Sequence, residues 1–407
     1  MAALLWLPLV PCLAWLLWAA WRFPVPLSYN WRSLWQRKAS TLSTAGAIAV
    51  VVAIFVVVLS LSQGISRAFV ASGRDDQVLV LRPNSRVELN STVDRSQARI
   101  LKASPLLARD EAGPLASAEC YVVLMLDRRD GDGGANVALR GLDPAGVRMR
   151  SQVRLVQGRW FNPDLSELVV PRKLAARFQG LEVGRSLAYA GRSWPIVGVF
   201  DAQGSAYDSE IWTDVEQLMQ ARRRGAYSSV RVRLADPGRI PDFIHQVDAD
   251  KRLKLEAKAE PAYYAEQTEA GKPIQVLGNL ITVILTLGAI FAAMNTMYSA
   301  VAGRTAEIGT LRALGFRQVE ILASFQWEAL MLCGLGGLAG AFLALGFNGI
   351  QTSTVNFQTF SDVSFAFTIT PGLMAEGVAF SILMGLAGGF LPAWRASRIP
   401  VTEAMNA

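Results

Sequence analysis

Side chains that could do covalent or metal chemistry are few in this chain. There is one histidine, His245, and no Cys/His/Asp/Glu cluster stands near it. Ser-His-Asp triads and most metal sites need that residue type. His245 therefore reads as a surface side chain of a helix. Gly271 and Lys272 do not make a phosphate-binding loop: Glu266 stands where that motif needs Gly, and Pro273 where it needs Ser or Thr. No GxSxG turn occurs. The run Asp127–Gly134, DRRDGDGG, has acids but lacks the ligand spacing and closing Glu of a Ca²⁺ loop. A solvated hairpin turn is expected there. Cys12, Cys120 and Cys333 show no CxxC spacing and read as structural thiols. No cofactor is expected on this chain; ATP and Mg²⁺, if they drive it, belong to a partner.

The composition says where such a chain must sit. It is 52% hydrophobic with mean hydropathy +0.28, too apolar for a soluble protein and too charged for one wholly in a bilayer. Four apolar runs, Thr41–Ser62, Val276–Ala302, Trp327–Gly349 and Gly372–Trp394, are long enough for a hydrocarbon core of ~30 Å, which takes about 20 helical residues. Residues 1–22 hold a fifth, Ala2–Trp21, read as an extra hydrophobic helix. It lacks the basic start of a signal peptide. Its Trp residues also suit a helix lying in the interface. Glu328 and Glu376 lie near span ends. An acid in a span is a functional-site hypothesis by default, but both can reach an interface, which is preferred here to a proton relay.

Sidedness follows from the basic residues. Outside the large polar region, Arg22, Arg32, Arg37, Lys38, Arg304, Arg312, Arg317, Arg395 and Arg398 all fall on one side of the four runs, whereas 350–371 has no Lys or Arg. Residues 23–40, an amphipathic lead-in segment, 303–320 and the tail 395–407 are thus expected in the cytoplasm, and 350–371 outside as a loop. The spans are 41–62, 276–302, 321–349 and 372–394. Residues 63–275 form one extracytoplasmic domain; a loop that long translocates largely regardless of its charge. The formal charge of +7 is scattered, with no basic patch interleaved with aromatics, so no nucleic-acid partner is expected.

Within that domain, β-rich runs at Gln77–Arg82, Tyr121–Asp127, Asn136–Leu142, Leu168–Pro171, Ser186–Ala190, Trp194–Phe200, Glu210–Thr213 and Ser229–Leu234 predict strands. Helices are predicted at Asp94–Ala103, Pro171–Phe178, Val215–Arg224 and Arg239–Lys251. The domain is therefore α+β. Ser62–Ser72 and Pro261–Pro273 look like helical connectors to the spans.

The segment from Arg304 to Phe316 is the most telling. Ile308, Leu311 and Leu314 recur every three residues among Glu307, Arg312 and Arg317, and Gly315 can end the helix. Such a helix can lay an apolar stripe on the membrane part and offer its other face to a soluble partner. A purely structural interfacial helix fits the same pattern. Gly336 with Gly340, Gly385 with Gly389, and Gly288 with Ala292 are spaced by four, which puts small residues on one helix face for close packing. Packing within the chain and a seam between two copies both remain open.

The sequence Glu307-Ile308-Gly309-Thr310-Leu311-Arg312-Ala313-Leu314-Gly315-Phe316 resembles the cytoplasmic signature of MacB/FtsX-type ABC transporter permeases, the group with the LolC/LolE lipoprotein-release subunits. Glu328, the Gly334–Gly340 cluster, Pro392–Ala404, Asn30–Lys38, Gly158–Phe161, Glu167–Val170 and Pro195–Phe200 resemble the same family, over about residues 27–407. The resemblance implies a four-span helical bundle with an inserted domain of MacB periplasmic-core type. It implies a multi-pass protein of the inner (plasma) membrane, a cytoplasmic ABC ATPase subunit as partner, and a dimer with a second copy or homologue. A periplasmic adaptor or membrane fusion protein is a further partner it admits. Glu307, Ile308, Thr310, Leu311, Arg312, Leu314, Gly315 and Phe316 would then contact the ATPase, and the two connectors would form a stalk that works the outer domain. The cargo would be a lipid, lipoprotein, peptide or hydrophobic small molecule. In an FtsX-like alternative the outer domain instead activates a wall hydrolase. The Ala2–Trp21 run and the lack of a fused ATPase depart from MacB itself.

Overall fold

The structure is a computed structural model that describes residues 27–70, 72–129, 131, 133–269, 272–355 and 361–400. The Ala2–Trp21 helix, part of Pro261–Pro273 and the end of the tail lie outside the described residues. In chain order the elements are α1 (Leu27–Gln36), α2 (Lys38–Val70), β1 (Gln77–Leu81), α3 (Arg95–Lys102), β2 (Arg109–Asp110), β3 (Gly113–Pro114), β4 (Ala116–Asp127), β5 (Gly134–Leu142), α4 (Pro144–Met149), β6 (Arg154–Gly158), β7 (Leu168–Pro171) and α5 (Arg172–Arg177). There follow β8 (Ser186–Tyr189), β9 (Arg192–Asp201), β10 (Glu210–Asp214), α6 (Val215–Ala221), β11 (Ser229–Arg233), α7 (Ile240–Ala249), β12 (Glu256–Ala259), α8 (Glu260–Glu269), α9 (Lys272–Ala302), α10 (Thr305–Ala313), α11 (Gln318–Ala344), β13 (Gln351–Val355), β14 (Asp362–Ala366) and α12 (Pro371–Ser397). They divide into a helical unit of residues 1–62, 274–350 and 367–407 and a sheet unit of residues 63–273 and 351–366.

In the helical unit, Lys38–Gly64, Val276–Ala302, Gln318–Phe347 and Pro371–Ser397 are helices long and apolar enough to cross a membrane. Glycines let three of them approach closely. A Cβ on Gly336 would stand 2.8 Å from the Ala45 carbonyl, and one on Gly340 2.4 Å from the Ala49 carbonyl, so α11 presses backbone to backbone on α2. Gly385 and Gly389 do the same against α11, their built Cβ atoms falling 2.9 Å from Cys333 Cβ and 2.4 Å from Ala329 Cβ. All four small residues are thus used in contacts within one chain, whereas Gly288 has nothing within 4 Å. The core joins Ile48, Val52, Val56, Ala293, Cys333 and Met384. The outward side of α9 is apolar, with Leu277, Leu280, Ile284, Leu287 and Phe291 exposed.

The sheet unit is built on one mixed sheet in the order β12-β1-β11-β4-β5-β10-β7-β9-β6, with β8 on β9. β10 runs parallel to β5 and β7 parallel to β9; the other pairs are antiparallel. Alternation along the strands sorts two layers. Ala116, Ala118, Cys120, Val122 and Leu124 of β4, Val137 and Leu139 of β5 and Val230 and Val232 of β11 enter the apolar core. Their neighbours Glu119, Arg140 and Arg231 are equally buried on the other face. β4 meets β5 with Asp127 opposite Gly134, so the DRRDGDGG run connects the two strands of a hairpin. His245 is exposed on α7.

The strands differ from the sequence expectation at several points, the short β2–β3 pair among them. β4 starts at Ala116 rather than Tyr121: its added residues alternate, Ala116, Ala118 and Cys120 entering the apolar core and Glu119 a buried ionic layer rather than solvent. β6 and β12 are strands that hydropathy does not mark. The stretch 350–371, expected as a loop, holds the β13–β14 hairpin, whose Thr354 pairs with Val363. This hairpin packs within the sheet unit: Asp362 is 3% exposed, 2.9 Å from Arg177 and 3.7 Å from Arg128.

Candidate coupling site

The resembling segment folds into α10 and its turn. α10 ends in a closed carboxyl-terminal motif: the Phe316 N–H donates to the Leu311 carbonyl at 3.1 Å and the Gly315 N–H to the Arg312 carbonyl at 3.1 Å. Gly315 sits at φ +96°, a conformation that glycine tolerates and other residues resist. α11 then starts with the Glu320 carboxylate accepting from the Arg317 N–H at 2.8 Å. Sequence placed the helix end at Gly315 for this reason, just past the last helical residue, Ala313, and its cap, Leu314.

The expected stripe is only partly present. Ile308 is 1% exposed and packs with Met297, Val301, Phe325 and Ala396. Leu311 and Arg312 are half-buried, as is Phe316. Leu314 is 72% exposed and does not join the stripe. At about 100° per residue, steps of three drift around a helix, so the third member lies well off the line of the first. Leu314 also lies beyond the last residue of α10. Glu307, Thr310 and Gly315 are exposed with it. The result is a surface turn held by Ile308 and offering Glu307, Thr310 and Leu314 outward.

What holds this turn in place is an ionic node that spacing did not reveal. Arg304, 7% exposed, precedes α10. Its Nη1 donates to Ser33 Oγ at 2.8 Å and to Glu328 Oε2 at 3.0 Å, while its Nε donates to Glu307 Oε2 at 2.9 Å. Ser33 Oγ donates in turn to Glu328 Oε1 at 3.0 Å, and the Tyr29 hydroxyl to Glu307 Oε2 at 2.6 Å. The guanidinium also stands over the Tyr29 ring, 4.6 Å from its centroid. The Tyr29 and Arg304 hydrogen bonds hold the Glu307 carboxyl below its ordinary range. Glu328 thus meets both the Ser33 hydroxyl and the Arg304 guanidinium.

α1 is the third wall. Asn30, Ser33 and Leu34 are buried, while Trp31 and Trp35 are 43% and 57% exposed. The face at Tyr29, Asn30, Ser33 and Arg37 follows helical spacing and meets polar partners: Ser324 Oγ donates to Asn30 Oδ1 at 2.8 Å and Arg37 Nη2 to the Ala300 carbonyl at 2.9 Å. A cavity of about 310 Å³ opens beside the node, lined by Ser33, Arg37, Thr41, Thr296, Ser299 and Glu328. The only hint of this in sequence was that α1 keeps polar residues on one face and tryptophans on the other. Three elements, α1, α10 and α11, thus converge on Arg304. Among the described residues no group of His, Cys, Asp and Glu is arranged to hold a metal ion.

Residues 41–250 match the model of the MacB-like periplasmic core domain and residues 279–401 that of the FtsX-like permease C-terminal. The chain is 23% identical over 414 residues to the macrolide export ATP-binding/permease protein MacB of Burkholderia thailandensis, covering 94% of this chain and 60% of that protein. It is 36% identical over 130 residues to MacB of Agrobacterium fabrum, covering 32% and 19%, and 37% identical over 131 residues to the pyoverdine export ATP-binding/permease protein PvdT of Pseudomonas savastanoi pv. phaseolicola, covering 32% and 18%. The chain thus spans less than two thirds of the length of these curated relatives. The crystal structure of the periplasmic region of MacB from Actinobacillus actinomycetemcomitans aligns with 46% of this chain and 90% of its own, at 14% identity and TM-score 0.35. With one family model over half of the chain and a second over its carboxyl-terminal helices, the chain belongs to the MacB/FtsX-type permeases of ABC transporters, membrane proteins with an extracytoplasmic domain.

Proposed function

We propose that this chain is the non-catalytic permease subunit of an exporter, driven by an ATPase on a separate cytoplasmic subunit and acting by mechanotransmission in the inner (plasma) membrane. Closure of the ATPase pushes α10; the spans move; the sheet unit changes shape and expels its cargo on the outer side. The cargo class is a hydrophobic small molecule, peptide, lipid or lipoprotein. Relatives named for macrolide and pyoverdine export support export over wall-hydrolase signalling. The complex holds two permease copies and can recruit a periplasmic adaptor.

The observation that carries this reading is the Arg304 node. It ties an exposed turn bearing Glu307, Thr310 and Leu314 to α1 and α11, so the turn is a handle on the helical unit and not a loose loop. The test is Glu307→Lys or Arg312→Glu in the complex purified with its ATPase. Substrate-stimulated ATP hydrolysis is expected to fall towards the basal rate while the chain still inserts. Stimulation equal to the unsubstituted complex contradicts the reading.

A further inference from the structure

The sheet unit contains a second ionic network, far larger than the first and nine-tenths or more buried. Arg140 of β5 pairs with Glu88, Glu119 and Glu210 at 2.7, 2.6 and 2.6 Å. Arg150 pairs with Glu119 at 2.8 Å, and Arg231 lies 3.6 Å from Glu119 and pairs closely with Glu260. Ionic clusters of this kind stabilise less than well-packed apolar side chains of the same volume. This one even leaves Nε and Nη2 of Arg231 without hydrogen-bond partners among the described residues. Stability alone is therefore a poor reason for it.

Its placement supplies a better one. Within the sheet unit, the chain runs from the end of α2 at Val70 past Ser72 and Arg74 into β1, and from β12 it passes at Glu260 into α8. Both ends converge on Glu260. The Arg74 N–H donates to Glu260 Oε2 at 3.0 Å. The Tyr207 hydroxyl donates to Glu260 Oε1 at 3.3 Å and lies 3.4 Å from the Ser72 carbonyl, while the Ala206 N–H donates to Ser72 Oγ at 2.8 Å. Arg231 Nη1 donates to the same Tyr207 oxygen at 2.8 Å. The two backbones touch: a Cβ on Gly73 would stand 3.2 Å from Pro261 Cα. From Glu260 the contacts run through Arg231 and Glu119 to β4, β5 and β11 at the middle of the sheet.

We infer that Glu260 is a positioning residue, a pin that fixes the spacing of the two chain ends of the sheet unit and transmits any pull on them, through Arg231, to the central strands. This deepens the mechanical reading above and rests on it. Four carboxylates (Glu88, Glu119, Glu210, Glu260) face three guanidiniums (Arg140, Arg150, Arg231). Glu260→Gln brings the count to balance but leaves Arg231 with Glu119, at 3.6 Å, as its nearest carboxylate, so some loss of stability is expected whatever the role. A Gln side chain also has one acceptor oxygen where the carboxylate has two. Either Arg74 N–H or the Arg231–Tyr207 side loses its anchor, and one end is set free.

The experiment is electron–electron double resonance on the full-length chain in lipid nanodiscs. Spin labels are placed by Gln63→Cys and Ala265→Cys in a background with Cys12, Cys120 and Cys333 replaced by Ser. One narrow distance distribution is expected with Glu260 intact. Glu260→Gln is expected to broaden it, as a local opening does. Tyr207→Phe, which removes only the hydroxyl, keeps the test valid if the first variant folds poorly, and is expected to broaden it too. A distribution unchanged in both variants overturns the inference. Broadening together with normal substrate-stimulated ATP hydrolysis leaves the pin standing and removes the mechanical reading of function.

Discussion

Arg304 Nη1 lies 3.0 Å from the Glu328 carboxylate, and the two side chains are 8% and 3% exposed. An ion pair so placed joins the start of α10 to the middle of α11 and leaves neither charge in water. Removing one member strands the other, which typically costs about 3–5 kcal/mol. Glu328→Ala is expected to lower the thermal unfolding midpoint of the purified chain, followed by tryptophan fluorescence, and to loosen α10 to proteolysis at Arg312 and Arg317. Replacing both residues by apolar side chains of similar volume should recover much of the stability but not the coupling. A midpoint unmoved by Glu328→Ala contradicts the node.

Close packing of α11 on α2 makes a second, steric prediction. Gly340→Ala puts a methyl 2.4 Å from the Ala49 carbonyl and 2.8 Å from Val52 Cβ. Forcing atoms into a packed site costs about 1–3 kcal/mol. Gly288→Ala, where nothing lies within 4 Å, is expected to be neutral for the unfolding of one chain. Equal midpoints for the two variants would count against this packing.

The buried network gives a pH dependence. Burial alone would raise the Glu88 carboxyl, but the Arg140 guanidinium overrides it and holds the group at about 2 against an ordinary 4.5. A carboxyl with a lowered folded pKa contributes stability that is present in full above its unfolded value and is lost as pH falls through the folded value. Unfolding midpoints measured from about pH 6 down to about pH 3 should therefore fall below pH 4.5, and Glu88→Gln should flatten the lower part of that curve. A curve no flatter in the variant would show that Glu88 carries none of the dependence.

The spans were legible because a bilayer demands long apolar helices and little else matches that demand. The turn at Gly315 was legible because its backbone needs glycine. Leu314 misled because a three-residue repeat approximates helical spacing only over a turn. The Arg304 node was not legible: Tyr29, Ser33 and Glu328 are separated from one another or from Arg304 by tens to hundreds of residues, and only packing unites them. Glu119, Arg140 and Arg231 escaped notice for a related reason. A charge on a strand reads as solvent-facing until the sheet shows what covers it. The β13–β14 hairpin has the same explanation, since its anchor Asp362 meets Arg177 far away in sequence.

An ATPase is expected to push on α10 and the turn that follows it. A photo-crosslinking amino acid at Thr310 or at Leu314, with Glu111 of the sheet unit as control, tests it in living cells. An adduct is expected between Thr310 or Leu314 and a cytoplasmic ABC ATPase, and none with that protein from Glu111. An ATPase adduct from Glu111 alone, or labelling of a Thr310→Cys chain by a reagent that cannot enter the cell, would contradict it.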